Sequence, residues 1–105
     1  MTLSIPDKAI PERKVPVIVR KDYTVSLERT SGMTFVHCDI TGRWSKTVQK
    51  SLDQNWQALL HLHTDTIYAL HTPGDRKHEK FLHLFGFSLA GTYTAVEGTI
   101  ELYKI

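Results

Sequence analysis

Apolar positions along the chain change their spacing twice, and each change marks a new kind of element. In residues 1–14 the prolines Pro6, Pro11 and Pro16 recur every five positions through and just beyond the stretch, a spacing no helix tolerates. This stretch reads as an arm that either extends freely or lies along the body and buries Leu3, Ile5 and Ile10. The pattern then becomes that of strands. Val15 to Val19 is rich in β-branched residues. Lys21-Asp22 supplies a tight turn, and Tyr23 to Glu28 alternates, with Tyr23, Val25 and Leu27 on one face and Thr24, Ser26 and Glu28 on the other. Met33 to Ile40 forms a third strand after the Ser31-Gly32 turn. Links this short predict an antiparallel meander, with Val25 and Leu27 turned toward helical cover.

From Trp44 the period lengthens. Trp44, Val48, Leu52, Trp56, Leu59, Leu60 and Leu62 recur at steps of three to four, the stripe of a helix packed on one side. Thr41 can cap it, or Ser45 with a later start, and it ends near His61 to Thr64. Thr66 to Thr72 reads as a strand broken by Thr72-Pro73-Gly74-Asp75. Asp75 caps a second helix to about Phe85, with Phe81, Leu82 and Phe85 buried and Gly86 ending it. Two strands follow: Phe87 to Val96, irregular near Gly91, and Thr99 to Tyr103, joined by a Glu97-Gly98 turn. The order β-β-β-α-β-α-β-β predicts an α/β (α+β) fold, a mixed and mainly antiparallel sheet covered by two helices, in one domain over residues 15–105.

Composition narrows the function classes. A chain of 105 residues has room for one core. Thirteen basic against eleven acidic side chains leave a formal charge of +2. A nucleic-acid binder carries a larger excess or a concentrated basic stripe, so nucleic acid is not the expected partner. Cys38, the single cysteine, excludes an internal disulfide and a Cys-rich zinc module. No apolar run approaches the ~20 residues of a membrane span, and no basic segment leads an apolar one at the N-terminus, so the expected compartment is the cytoplasm.

Several side chains invite chemistry. His61, His63 and Asp65 alternate, but a spacing of two does not align ligands on a helix. His71, His78 and His83 are spread over a strand and a helix. No metal is expected, and these histidines read as surface residues around helix ends. Cys38 reads as a small buried hydrophobe. Arg43, Lys46 and Lys50 form one basic patch and Arg76, Lys77 and Lys80 another, and the two are expected to flank one anion-attracting groove. Trp56 reads as a core anchor. Trp44, at the helix start, is placed to stack on an adenine, meet a partner, or fill space.

The run Asp75-Arg76-Lys77-His78-Glu79-Lys80-Phe81-Leu82-His83-Leu84-Phe85-Gly86-Phe87 resembles the penultimate helix of the GNAT superfamily of acyl-CoA N-acyltransferases. That helix opens with Asn, has a small residue three later, then an aromatic pair, and ends in Gly-Phe. The element order is similar to the second half of that fold. The chain is similar in particular to small acetyltransferase-like proteins of tailed bacteriophages, on the strength of His78-Glu79-Lys80-Phe81-Leu82 and the closing Ile100-Glu101-Leu102-Tyr103-Lys104-Ile105. The resemblance covers about residues 15 to 105. It implies a truncated N-acyltransferase-like fold, acetyl coenzyme A as acyl donor, direct transfer to an amine, and a viral protein of the host cytoplasm or virion. The pyrophosphate would meet Ile40, Gly42, Arg43, Trp44, Ser45 and Lys46, with Asp75 at the other helix start. The third and fourth strands would splay to receive pantetheine, and His37 or Asp39 would serve as general base.

The residues also depart from the family. Arg43 is followed by Trp44, Ser45, Lys46 and Thr47, with neither glycine of the phosphate loop, and Gly42 precedes the arginine. Leu82 stands where the family often has a tyrosine acid. The family's first strand and first two helices have no counterpart unless the arm is their remnant. A second expectation is therefore an inactive scaffold that binds another protein, within a phage particle or host complex, or that forms a homodimer through its last strands.

Overall fold

The computed structural model describes residues 14–105, so the arm proposed for the N-terminus lies almost wholly outside the described residues. Proline cannot donate to a ladder, which confines it to edge strands. Pro16 accordingly lies in β1 (Lys14–Val19), the outermost strand on one side of a six-stranded sheet. Then come β2 (Tyr23–Thr30), β3 (Met33–Ile40), α1 (Lys46–Leu62), β4 (Ile67–His71), α2 (Arg76–Leu84), β5 (Ser88–Ala95) and β6 (Gly98–Lys104). The sheet order is β1-β2-β3-β4-β6-β5. β3 and β4 are parallel and every other pair is antiparallel. The mixed sheet with two helices is the predicted class, and the meander β1-β2-β3 is present.

Cross-strand pairing fixes which residues share a face. Val25 lies opposite Cys38 and Leu27 opposite Val36, on the face that α1 and α2 cover. Ser26 lies opposite His37 and Glu28 opposite Phe35, on the other face. In β1 a bulge between Pro16 and Ile18 shifts the register, so Ile18 turns into the core while Val17 stays exposed. The predicted irregularity near Gly91 is a bulge between Leu89 and Gly91 on the opposite edge.

Ser45, not Thr41, caps α1, its hydroxyl accepting from the Val48 N–H at 3.1 Å. The helix therefore starts after Trp44, which lies outside it and is 41% exposed. The buried stripe is Val48, Leu52 and Trp56, and Leu62 falls off it into solvent. Trp56 ties the layers together. Its indole N–H donates to the Phe85 carbonyl at 3.2 Å, and its ring stacks on Phe87 at 5.6 Å. Asp75 caps α2 as predicted, and Gly86, at a φ of +93°, lets the Phe87 N–H return to the Leu82 carbonyl. No helix among the described residues is long and apolar enough to cross a membrane.

Candidate functional site

A parallel pair needs a ladder to stay closed, and this one has a short ladder. β3 and β4 pair only at Thr34 with Ile67 and Phe35 with Tyr68. Beyond those positions Val36–Ile40 and Ala69–His71 have no pairing with each other. A cavity of about 440 Å³ lies there. Val36, Cys38 and Ile40 line it from β3 and the small side chain of Ala69 from β4. Leu52 and Trp56 of α1 and Phe81 and Leu82 of α2 close it on the helix side, and Asp75, Lys77 and His78 bring polarity from the start of α2. Both helix N-termini follow the carboxyl ends of the parallel strands, the place where open sheets of this kind receive ligands.

The cavity wall holds two titratable groups whose state is set by burial. Burial, with the neighbouring Asp39 charge second, pushes the Cys38 thiol up from 9.0 to about 11. It is a thiol, not a nucleophilic thiolate, at neutral pH. His78 lies below its ordinary imidazole value, first because it is partly buried and second because His71 adjoins it, with Asp75 opposing the shift. His71 is 2% exposed. Its Nδ1 meets Nδ1 of His78 at 2.8 Å, and its Nε2 lies 3.9 Å from Oε1 of Glu101 on β6. The ring of Tyr103 meets His71 edge-on at 5.5 Å.

The residues singled out from the sequence are distributed unevenly around this cavity. Ile40 and Asp75 line it, and the Asp75 carboxylate accepts from the His78 backbone N–H at 3.1 Å. Trp44 packs its ring 6.1 Å from that of Phe81, which ties the segment leading into α1 to α2. Ser45 is occupied as the helix cap. Gly42 serves the fold: its N–H donates to the Asp22 carbonyl at 3.1 Å, and a Cβ there would collide with the Asp22 side chain. Arg43 is exposed. Lys46 and Lys50 line a second hollow of about 450 Å³ with Leu84 and Phe85, whereas Lys77 lines the main cavity. The two basic patches thus sit at different hollows, not along one groove. His37 and Asp39 alternate with Val36, Cys38 and Ile40 and so lie on the opposite face of the sheet from the cavity. There His37 Nε2 contacts Glu28 Oε1 at 2.7 Å.

His71 and His78 correct the reading of surface histidines at helix ends. The signal for them was present: strand alternation puts His71 on the face of Ile67 and Ala69, and His78 comes three residues after the cap. Their meeting needed the turn at Thr72–Asp75 to fold α2 back on β4, which no local pattern encodes. Among the described residues no group of three or more His, Cys, Asp or Glu side chains is arranged to hold a metal. Compared with known proteins, the chain matches no family model, no curated protein and no solved structure.

Proposed function

We propose that this protein is a reduced GNAT-like acyltransferase that takes the acyl-pantetheine arm of acetyl coenzyme A between β3 and β4 and passes the acyl group to an amine. The observation that carries the reading is the cavity that opens where the two-pair ladder ends. Strand edges released from a ladder keep their backbone N–H and C=O groups, and an amide-bearing chain can pair with them while its apolar end enters the cavity. The residues fit this ligand in part. The cavity suits the thioester arm, but the backbone near Gly42 is engaged by Asp22 and the Val48 N–H by Ser45. Attraction for the phosphates then falls to the side chains of Lys77, at the cavity, and of the exposed Arg43, which makes binding salt-dependent. The ligand supplies an activated thioester; the chain supplies orientation, a dry wall and a place for a proton.

Titration calorimetry with acetyl coenzyme A tests this reading. Binding at micromolar ligand that weakens on Arg43→Ala and is lost with an adenosine-only analogue supports it. Absence of binding up to millimolar ligand overturns it. A second reading has its own observation. Leu82, buried in the cavity wall, cannot donate a proton to a leaving thiolate. If the scaffold is inactive, its role is to bind a protein, as a structural module of a phage particle or host complex. The exposed Leu70 and Tyr93, on the face that α1 and α2 leave open, would serve that role.

A further inference from the structure

We propose that Glu101, His71 and His78 form a relay that makes Nε2 of His78 the base which takes the proton from the acceptor amine. The inference rests on the acyl-transfer reading, but its geometry stands apart from it. A 2.8 Å contact between two ring nitrogens requires one N–H and one lone pair. Two assignments satisfy it, and Glu101 chooses between them. Its Oε1 lies 3.9 Å from Nε2 of His71, on a side chain 1% exposed. A carboxylate at that distance favours N–H over a lone pair, so His71 carries its proton on Nε2 and offers Nδ1 as acceptor. His78 must then donate from Nδ1, which leaves its Nε2 as the free acceptor on a side chain that lines the cavity.

The surrounding groups hold this arrangement. Tyr103 of β6 packs edge-on against His71 at 5.5 Å and fixes its ring plane. At the cap of α2, Asp75 is engaged by the His78 backbone N–H; within α2, Glu79 lies 3.7 Å from His83, and His83 packs against Tyr103. Burial first and the neighbouring His71 second disfavour the cation, with Asp75 opposing them, which favours the neutral, proton-accepting imidazole. Once His78 takes a proton, the Asp75 carboxylate and, through His71, the Glu101 carboxylate offset the charge.

The step balances. As the amine nitrogen forms its bond to the thioester carbonyl carbon, its proton moves to His78 Nε2 and the C–S bond breaks. The leaving thiolate takes the proton back from His78. Thioester and amine become amide and thiol, and His78 returns to its starting tautomer. The same residue thereby covers the proton donation that Leu82 cannot supply. His37, on the other face of the sheet with its Nε2 on Glu28, has no part in it.

The experiment uses the full chain labelled with ¹⁵N-histidine, together with turnover of acetyl coenzyme A on a panel of primary amines. Long-range ¹H–¹⁵N correlation at pH 7 is expected to show His71 protonated on Nε2 and His78 protonated on Nδ1. His78→Gln is expected to lose about a hundredfold or more in kcat, while acetyl coenzyme A affinity stays within about twofold. His37→Gln is expected to keep full turnover. A proton on His78 Nε2, turnover retained in His78→Gln, or binding without turnover on any amine overturns the base and leaves the binding site standing. Failure of the unaltered protein to bind acetyl coenzyme A overturns both.

Discussion

On the open face of the sheet, His37 meets Glu28 at 2.7 Å with both side chains about a third exposed. On the covered face, His71 meets His78 at 2.8 Å with His71 almost wholly out of water. The first pair looks like better chemistry in the sequence, because a histidine beside an acid is the familiar general base. Yet it lies away from the cavity, and its Nε2 is already occupied. The second pair has the longer carboxylate contact, at 3.9 Å to Glu101, but burial gives that contact weight. Depth and location, more than the identity of the nearest partner, separate the histidine pair at the cavity from the pair on the surface.

Substitutions separate the two faces at several levels. The largest effect is expected at the wall that makes the covered face deep. Trp56→Ala removes a buried indole, its stack on Phe87 and its hydrogen bond to Phe85. It should cost about 3–5 kcal/mol in urea unfolding, a large part of the ~5–15 kcal/mol of a domain this size. His71→Ala comes next. It leaves the His78 ring without its partner and should cost about 1–3 kcal/mol. His37→Gln breaks a half-exposed pair and should cost no more than about 1 kcal/mol. Equal losses at His37 and His71 would contradict the comparison.

Acid gives a finer test. The folded state holds His78 below its ordinary value of 6.5, so the unfolded chain binds more protons at mildly acidic pH. The stability this contributes is present above pH 6.5 and falls as pH drops through that value toward the lower folded pKa. Denaturation midpoints should therefore decline between pH 7 and pH 5, and His78→Gln should flatten part of that decline.

Most of the element plan was legible in the sequence because its signals are local. Asp75 and Ser45 cap what they precede, Gly86 ends α2, and the Glu97-Gly98 turn joins β5 to β6. Trp44 and Leu62 carry the apolar period past the buried stripe: Trp44 precedes the Ser45 cap, and Leu62 closes α1 facing solvent. The site was less legible because its parts depend on distant partners. The bulge that turns Ile18 inward is a property of the β1–β2 pairing. Gly42 reads as a pyrophosphate contact until Asp22 is seen against it. The cavity exists because β3 and β4 pair at two positions and stop, and no residue in either strand announces that.

Cys38 reports most directly on what occupies the space between β3 and β4, because it lines the cavity. With its pKa raised from 9.0 to about 11, it should alkylate about a hundredfold more slowly at pH 8 than an ordinary thiol. The decisive comparison is that rate with and without saturating acetyl coenzyme A, using adenosine 3′,5′-bisphosphate as control. An acyl-pantetheine arm seated between β3 and β4 predicts strong protection by acetyl coenzyme A and none by the nucleotide. Equal alkylation rates with and without saturating acetyl coenzyme A would contradict the assignment.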